Sequence, residues 1–466
     1  MSNDHNILKC RDDHAPVLFS ASGDVAEPGK PFKLVKEAKC SWQNQDEAFG
    51  PEKLRSRIEP WLSALFQSEH LSLLVGSGLT YAVHCIATGA ALPVMDPVKF
   101  THFDAEIAVA AKKSADAAGR ENGNIEDQIR VANELLRGLE IIAGSNEELK
   151  TQVMGLTEDL KNVLKGFAAT ILKSEKGLIT SKDKECEKAF NYLVSFLMSF
   201  ASRTGTRDRL QIFTTNYDRF IEAGAEVAGL HLLDRFVGLL APIFRSSRLD
   251  VDMHYNPPGI RGEPRYLEGV ARFTKLHGSL DWVNIKKSIR RMGVPFGAEK
   301  IKPYLNAPGF TGAEVTQLMI YPNAAKDRET AAYPYVELFR DLAAAVCRPN
   351  SALISFGYSF GDEHINRVIE DMLTIPSTHL VVISYNDPLK RIMKTYEKMG
   401  RPAQITLMIG EHLGDFQSLV DNYLPKPAID RTTFRMAELL KARWGADHSD
   451  ASTESMTPPA EGGTTA

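Results

Sequence analysis

Short apolar runs, each ending in a turn of small or polar residues, constrain the fold of this chain more than any other feature. Leu71 to Val75 lead into the turn Gly76-Ser77-Gly78, and Ala352 to Phe356 lead into another Gly/Ser turn. His379 to Tyr385 end at Asn386, and helical sequence follows each of these turns. Strands that alternate with helices predict a parallel sheet. The expected fold class is α/β, a Rossmann-like parallel sheet with helices on both faces.

Helix-forming sequence dominates a long stretch after the first of these strands. We expect a large helical insertion at about residues 100–205, within a domain that covers residues 51–430. Residues 1–50 predict an N-terminal arm, either extended or an added strand, that serves self-association. A C-terminal helix is expected at 431–445. Residues 446–466, rich in Ser, Thr, Pro and Gly, are expected to be disordered.

Charge and cysteine usage exclude several classes of protein. The 466-residue chain has 55 Lys and Arg against 59 Asp and Glu, a net charge of −4. This balance argues against broad attraction to nucleic acid or to an anionic membrane, so direct nucleic-acid binding is not expected. Its five cysteines are scattered and form no Cys-x-x-Cys pair, which supports neither a zinc ribbon nor a disulfide framework. With no apolar run that could span a bilayer and no signal peptide at the start, a cytoplasmic location is expected.

The sequence Leu210 to Phe220 places polar groups at a strand-to-helix turn. An apolar run ends at Thr215, Asn216 and Asp218 follow, and helical sequence begins at Phe220. An open α/β sheet positions its ligand groups at such turns. Asn and Asp are also common turn and N-cap residues, so a purely structural role is the alternative.

Two further turns carry candidate functional groups. In Gly76-Ser77-Gly78, free backbone N–H groups and a helix N-terminus are placed where a diphosphate binds. The third glycine of the dinucleotide fingerprint is absent, since Tyr81 stands there. His277 lies at the end of another predicted strand, followed by Gly278. Tight turns need glycine in any case, and a histidine at a strand end is often structural.

Four motifs follow one another along the chain, namely Gly76-Ser77-Gly78-Leu79-Thr80, Thr215-Asn216-Tyr217-Asp218, Leu276-His277-Gly278 and Gly357-Tyr358-Ser359. In this order they resemble the motifs of the sirtuin family over roughly residues 70–410. The resemblance implies that NAD binds as a substrate. No zinc is expected, because the chain has no set of cysteines that could form a zinc ribbon.

The resemblance also implies a role for each candidate residue. Asn216 and Asp218 face the nicotinamide ribose, and His277 acts as the base. The cofactor-binding residues it implies are Gly76, Ser77 and Gly78 at the pyrophosphate, Gly357, Ser359 and Asn386 at the adenosine side, and Thr80 and Thr215 within the same motifs.

Two departures from the family pattern narrow the expected activity. Sirtuin deacylases carry a four-cysteine zinc ribbon after the His-Gly pair, and this chain has no such set. Tyr321-Pro322-Asn323 stands where those enzymes have the Phe-Gly-Glu segment that binds the acyl-lysine peptide. What remains resembles the bacterial sirtuin-like NADases of antiphage defence, above all the subunit that works with a HerA-type ATPase. This resemblance implies a homo-oligomer that depletes NAD in abortive infection.

The favoured function is therefore an NAD+ hydrolase that cleaves the nicotinamide–ribose bond. An NAD-dependent protein deacylase or ADP-ribosyltransferase on the same scaffold is one alternative. A sensor of NAD or ADP-ribose that controls a partner without turnover is another. From its place in a turn, Asn216 is expected to contribute little packing, so Asn216→Ala is expected to stop NAD loss and leave the chain folded.

Overall fold

Sixteen strands lie in the part of the chain that the computed structural model describes, and ten of them form one sheet. The described residues are 5–21, 29–36, 38–92, 96–117, 122–144, 146–203, 207–255, 265–286, 288–310, 312–318 and 333–426. In chain order the strands are β1 (Asn6–Lys9), β2 (Val17–Ala21), β3 (Phe32–Leu34), β4 (His70–Val75), β5 (Leu210–Thr214), β6 (His231–Leu233), β7 (Phe236–Val237), β8 (Ile243–Phe244), β9 (His254–Tyr255), β10 (Arg265–Tyr266), β11 (Val270–Lys275), β12 (Trp282–Ile285), β13 (Ser288–Arg291), β14 (Ser351–Phe356), β15 (His379–Ser384) and β16 (Ile405–Ile409).

The large sheet is parallel except at one edge. Its strand order is β3-β2-β1-β16-β15-β14-β4-β5-β11-β6. Every neighbouring pair from β16 to β6 is parallel, whereas β1, β2 and β3 are added antiparallel. The predicted α/β fold with a parallel sheet is confirmed. Strands β1, β2 and β3 extend that sheet beyond β16 as three edge strands.

Twelve α-helices accompany these strands within the described residues. Four of them, α3 to α6, occupy the range predicted for the helical insertion. None of the helices in the described ranges is both long and apolar enough to cross a membrane. The helices are α1 (Pro51–Phe66), α2 (Ser77–Thr88), α3 (Asp104–Ala117), α4 (Ile125–Ala143), α5 (Glu147–Ile179), α6 (Asp183–Ala201), α7 (Phe220–Val227), α8 (Lys302–Leu305), α9 (Tyr335–Val346), α10 (Glu363–Leu373), α11 (Arg391–Met399) and α12 (Phe416–Asn422).

Helices cover both faces of the parallel strands. In β4, Leu73 and Val75 pack into a core shared with α1, α2 and α6. Leu74, between them in sequence, packs into a second core shared with α9 and α10. Because successive side chains of a strand point to opposite faces, a run that is apolar throughout is suited to burial on both sides.

Helices α3, α4 and α5 of the insertion pack into a third apolar core, which they share with residues that follow β11, such as Leu280 and Val283. Helix α5 is 33 residues long, and its buried Leu156, Leu160 and Leu164 recur every fourth residue along one face. Helix α4 begins with a capping box, in which Asn124 and Asp127 each accept a hydrogen bond from the other's backbone N–H. These local signals explain why the insertion is helical.

Two predicted features lie outside the described residues. They are the C-terminal segment, with its helix (431–445) and tail (446–466), and the sequence Tyr321-Pro322-Asn323. The elements above all belong to the unit formed by residues 1–425.

Candidate active site

The turns after β4 and β14 meet at the point where the sheet changes its direction of winding. β4 and β14 are parallel neighbours, paired from Ser351↔His70 to Phe356↔Val75. Helix α2 follows β4 onto one face of the sheet, whereas α10 follows β14 onto the other. Open α/β sheets bind ligands in the crevice at such a switch point, outside the carboxyl ends of the strands.

Glycines allow the two turns to cross in backbone contact. The Gly78 N–H donates to the Gly357 carbonyl oxygen at 3.1 Å. A Cβ on Gly76 would lie 2.3 Å from that same oxygen, and Gly357 itself has a φ of +60°. Backbone packing therefore accounts for these glycines. The crossing also brings the N-terminus of α2, whose N-cap Gly76 has no capping side chain, to the crevice beside the exposed Ser77.

Asn216 connects the turn after β5 to the turn after β4. Its side chain is buried, with the residue 8% exposed, and its Nδ2 donates to the Gly76 carbonyl and to Thr80 Oγ1, both at 3.0 Å. The Thr80 hydroxyl in turn donates to Asp218 Oδ2 at 2.7 Å. Both N–H groups of the amide are thus engaged within the chain. Its carbonyl oxygen, Oδ1, is the atom through which Asn216 can meet a ligand.

Asp218 stabilises this turn through several contacts. Besides the bond from Thr80, its Oδ1 accepts from the Phe220 N–H at 3.2 Å, at the start of α7. Its backbone carbonyl accepts from the buried Lys275 Nζ. Thr215 lies beside it, with an N–H that donates to the Val75 carbonyl at 3.3 Å. These contacts hold the amide of Asn216 against the first glycine turn.

His277 lies at the end of the neighbouring strand. β5 and β11 pair in parallel up to Thr214↔Lys275, so Asn216 and His277 each follow the last pair by two residues. The ring of Tyr217 lies 6.4 Å from that of His277, measured between centroids. The structure thus brings the predicted amide and imidazole to adjacent strand ends.

Asp362 is a site residue that the sequence analysis missed. Its Oδ2 lies 2.8 Å from His277 Nε2, and the residue is 3% exposed. As the N-cap of α10, it also accepts a hydrogen bond from the His364 N–H. An aspartate just before a helix was the available sequence signal, and it is indistinguishable from an ordinary cap.

The predicted adenosine-side residues lie further along the same edge. Ser359 and Asn386 are exposed, in the turns after β14 and β15. The Asn386 backbone carbonyl accepts from the Ser384 hydroxyl at 2.8 Å. Arg391, not predicted, lies beside this region, with Nη1 2.7 Å from where a Cβ on Gly361 would stand. Among the described contacts, no hydrogen bond joins Ser359 or Asn386 to Asn216.

The insertion is anchored to the site by a buried ion pair. Glu175 of α5 accepts from the Arg219 backbone N–H at 3.0 Å and from its guanidinium at 2.5 Å. Arg219 immediately precedes α7, in the turn that carries Asn216. Phe167, also of α5, packs edge-on against Tyr217 at 5.7 Å and lines a cleft of about 460 Å³ within the insertion. Helix α5 therefore contacts the turn through both charge and aromatic packing.

A family model described as a SIR2-like domain matches residues 210–401. The match supports a sirtuin-like family. It covers Asn216, His277 and Asp362, and begins after the Gly76-Ser77-Gly78 turn. No curated protein matches the chain.

The SIR2-like match implies NAD-related chemistry, because domains of this kind are typically NAD-dependent enzymes. Within the described ranges, no three His, Cys, Asp or Glu side chains are grouped so as to hold a metal ion. All five cysteines are free thiols.

Proposed function

We propose that this chain is an NAD+ hydrolase that releases nicotinamide and ADP-ribose. The observation that carries the proposal is the convergence of the Asn216 amide and the Asp362-bound His277 at adjacent strand ends. Both lie at the edge of the sheet where the glycine turn opens helix α2.

The residues at this edge fit the parts of NAD. The N-terminus of α2 suits the pyrophosphate, because its first N–H groups and the helix dipole favour anions. Asn216 Oδ1 suits a ribose hydroxyl or the attacking water. Ser359 and Asn386, exposed one and two strands further along, suit the adenosine side.

Hydrolysis breaks the bond between ribose C1′ and the nicotinamide nitrogen, and positive charge develops on the sugar. Water adds to C1′, its proton passes to His277, and nicotinamide leaves as a neutral molecule. Asn216 Oδ1 orients the water or a ribose hydroxyl without carrying charge, because an amide oxygen is a neutral acceptor. Because His277 Nε2 is held by Asp362, Nδ1 is the nitrogen that accepts the proton.

Incubation of the purified chain with NAD alone tests the proposal. We expect free nicotinamide and ADP-ribose in equal amounts, without any acylated peptide. His277→Ala is expected to lower turnover by roughly two to four orders of magnitude, as for loss of a general base. A requirement for acyl-lysine peptide would indicate a deacylase, and ADP-ribose attached to protein would indicate a transferase. Tight NAD binding with no product would indicate a sensor. Each of these three results would overturn the hydrolase proposal.

The biological role we propose rests on the family resemblance alone. It is depletion of NAD in antiphage defence, by a homo-oligomer that acts with a HerA-type ATPase. Mixing the purified chain with such an ATPase from a neighbouring gene, followed by size-exclusion chromatography and an NAD assay, tests the partnership. Co-elution with increased NAD loss is expected, and separate elution with unchanged activity would contradict it.

A further inference from the structure

The hydrogen bond between His277 and Asp362 joins two distant parts of the sheet. His277 follows β11 and Asp362 precedes α10 after β14, with β4 and β5 between those strands. Three strand spacings separate β11 from β14, which is about 14 Å. The two loops must therefore reach toward each other across the ends of β4 and β5, where Gly76 and Asn216 lie. This contact crosses the proposed nucleotide crevice.

Asp362 is fixed by contacts of its own helix and loop. Its Oδ1 accepts from the His364 N–H at 3.2 Å, and its backbone carbonyl accepts from the Tyr358 hydroxyl at 3.3 Å. Tyr358 is buried and packs against Phe360, with ring centroids 5.0 Å apart. The second carboxylate oxygen, Oδ2, is the one that meets His277. The position of the Asp362 carboxylate is therefore fixed by contacts other than the one with His277.

A carboxylate accepts hydrogen bonds and does not donate them, so the Nε2 atom of neutral His277 must carry the proton. Nδ1 is then unprotonated and able to accept one. We propose that Asp362 is the positioning residue that selects this tautomer and holds the ring so that Nδ1 takes the proton of the attacking water. The inference rests on the proposed NAD hydrolysis, which it deepens by assigning a residue outside the family motifs quoted above.

Asp362→Asn tests this role with little effect on folding. Asparagine is as good an N-cap as aspartate, so α10 should keep its cap. Its amide can donate to Nε2, which favours the other tautomer. We expect kcat for nicotinamide release to fall roughly 10²- to 10⁴-fold, with KM for NAD changed by less than about threefold. Wild-type kcat in Asp362→Asn would overturn the inference.

Asp127→Asn is the matched control. Asp127 is also 3% exposed and also accepts a backbone N–H at a helix start, from Asn124 at 3.0 Å, but it lies in the insertion. Like Asp362→Asn, this variant removes one negative charge from a carboxylate that is 3% exposed. We expect it to keep wild-type turnover. If both variants lose activity alike, the effect comes from a lost buried carboxylate in general and the inference fails.

A double-mutant comparison separates positioning from general damage. In a His277→Ala background, Asp362→Asn should lower turnover by less than about threefold, because a residue that acts through the imidazole has nothing left to position. If Asp362→Asn lowers turnover in the His277→Ala background as much as it does in the wild type, Asp362 acts independently of His277 and the inference is overturned.

The tautomer can be read without any turnover. The chain has twelve histidines, and in protein labelled with 15N-histidine the His277 ring signals are identified by their absence in His277→Gln. We expect the wild-type spectrum to show protonated Nε2 and unprotonated Nδ1, and the Asp362→Asn spectrum to shift toward the other form. This pattern in a protein that does not cleave NAD would support the pairing and reject the hydrolase. The opposite wild-type tautomer would reject the inference even if NAD is cleaved.

Discussion

Asn216 has structural contacts as well as its proposed chemical role. Its amide holds the Gly76 carbonyl and Thr80 Oγ1 from a buried position. The sequence alone suggested that alanine here would cost little, but it would leave buried polar partners without their donor, at about 1–3 kcal/mol. We therefore expect Asn216→Ala to abolish nicotinamide release and also to lower Tm by several degrees.

Asn6→Ala is the control for the Asn216 prediction. Asn6 is 6% exposed, and its Oδ1 accepts from the His412 and Leu413 N–H groups at 2.9 and 3.2 Å. Calorimetry and a nicotinamide assay on both variants should show similar losses of Tm and loss of activity in Asn216→Ala alone. A fully active Asn216→Ala enzyme would remove the central assignment of the site.

Gly76 is required by the backbone crossing at the switch point. Alanine there would place its Cβ 2.3 Å from the Gly357 carbonyl oxygen and 2.7 Å from Tyr358 Cα, both backbone atoms of the turn after β14. We expect Gly76→Ala to lower the free energy of unfolding by roughly 1–3 kcal/mol, which is the usual cost of overpacking a core.

A second glycine provides the comparison for Gly76. Gly138 lies within helix α4, and a Cβ there meets nothing within 4 Å. Gly138→Ala should stabilise the protein by about 0.5–1 kcal/mol, because alanine loses less backbone entropy in a helix. Thermal unfolding of the two variants should shift Tm in opposite directions. Equal shifts would contradict the crossing geometry.

At the scale of elements, the sequence predicts long helices, which repeat an apolar pattern over several turns, and strands that end at clear turn residues. Helices α3 to α6 lie within the range predicted for the helical insertion, about residues 100–205. The predicted parallel strands, which are short apolar runs with turn residues at their ends, are found as β4, β5, β11, β14 and β15, whereas the parallel strand β6 was not predicted. Strands of two to four residues, such as β7, β8 and β13, are too short to show a period and were not predicted.

The site follows the same logic. Asn216 and His277 were predicted because each lies at the end of a recognisable strand. Asp362 was not predicted, because its partner His277 lies 85 residues away in the sequence and two strands, β4 and β5, separate their positions in the sheet. The close packing of Gly76 on Gly357 likewise depends on strand order, which local sequence does not encode.

The pair of strands β15 and β16 contains a histidine that should make stability depend on pH. Burial lowers the pKa of His379 to about 4, and Lys9 acts in the same direction. Its Nε2 lies 2.8 Å from Thr406 Oγ1. In the unfolded chain, His379 takes up a proton near pH 6.5. The contribution of neutral His379 to the free energy of unfolding is therefore complete above pH 6.5 and is lost as the pH falls toward 4. The full effect is roughly 3 kcal/mol.

His379→Gln isolates this contribution from that of other groups. Glutamine keeps a polar group near Thr406 and does not titrate, whereas burial also lowers the pKa of His84 and His412, which remain. We expect the Tm of the variant to fall less steeply than that of the wild type between pH 6.5 and 4. Parallel Tm profiles in this range would show that His379 is not buried in its neutral form.

At the scale of the whole molecule, the N-terminal strands close one edge of the sheet. β1 pairs with β16 through Ile7↔Ile409 and Leu8↔Met408, and Lys9 Nζ donates to the Ile405 carbonyl at 3.0 Å. Deleting residues 1–35 would leave β16 with unpaired backbone groups, which promote edge-to-edge association. We expect a lower Tm and soluble aggregates by size-exclusion chromatography with light scattering. Deleting residues 1–4, which precede β1, should have neither effect.

The same deletion tests whether the N-terminal segment serves self-association. If its strands complete their own sheet and also join copies of the chain, the deletion should lower Tm and replace the oligomer of defined mass by aggregates of mixed mass. A smaller, monodisperse particle with unchanged Tm would mean that the segment joins subunits without supporting the sheet. That result would contradict the pairing of β1 with β16, since an edge of this length cannot be removed without thermodynamic cost.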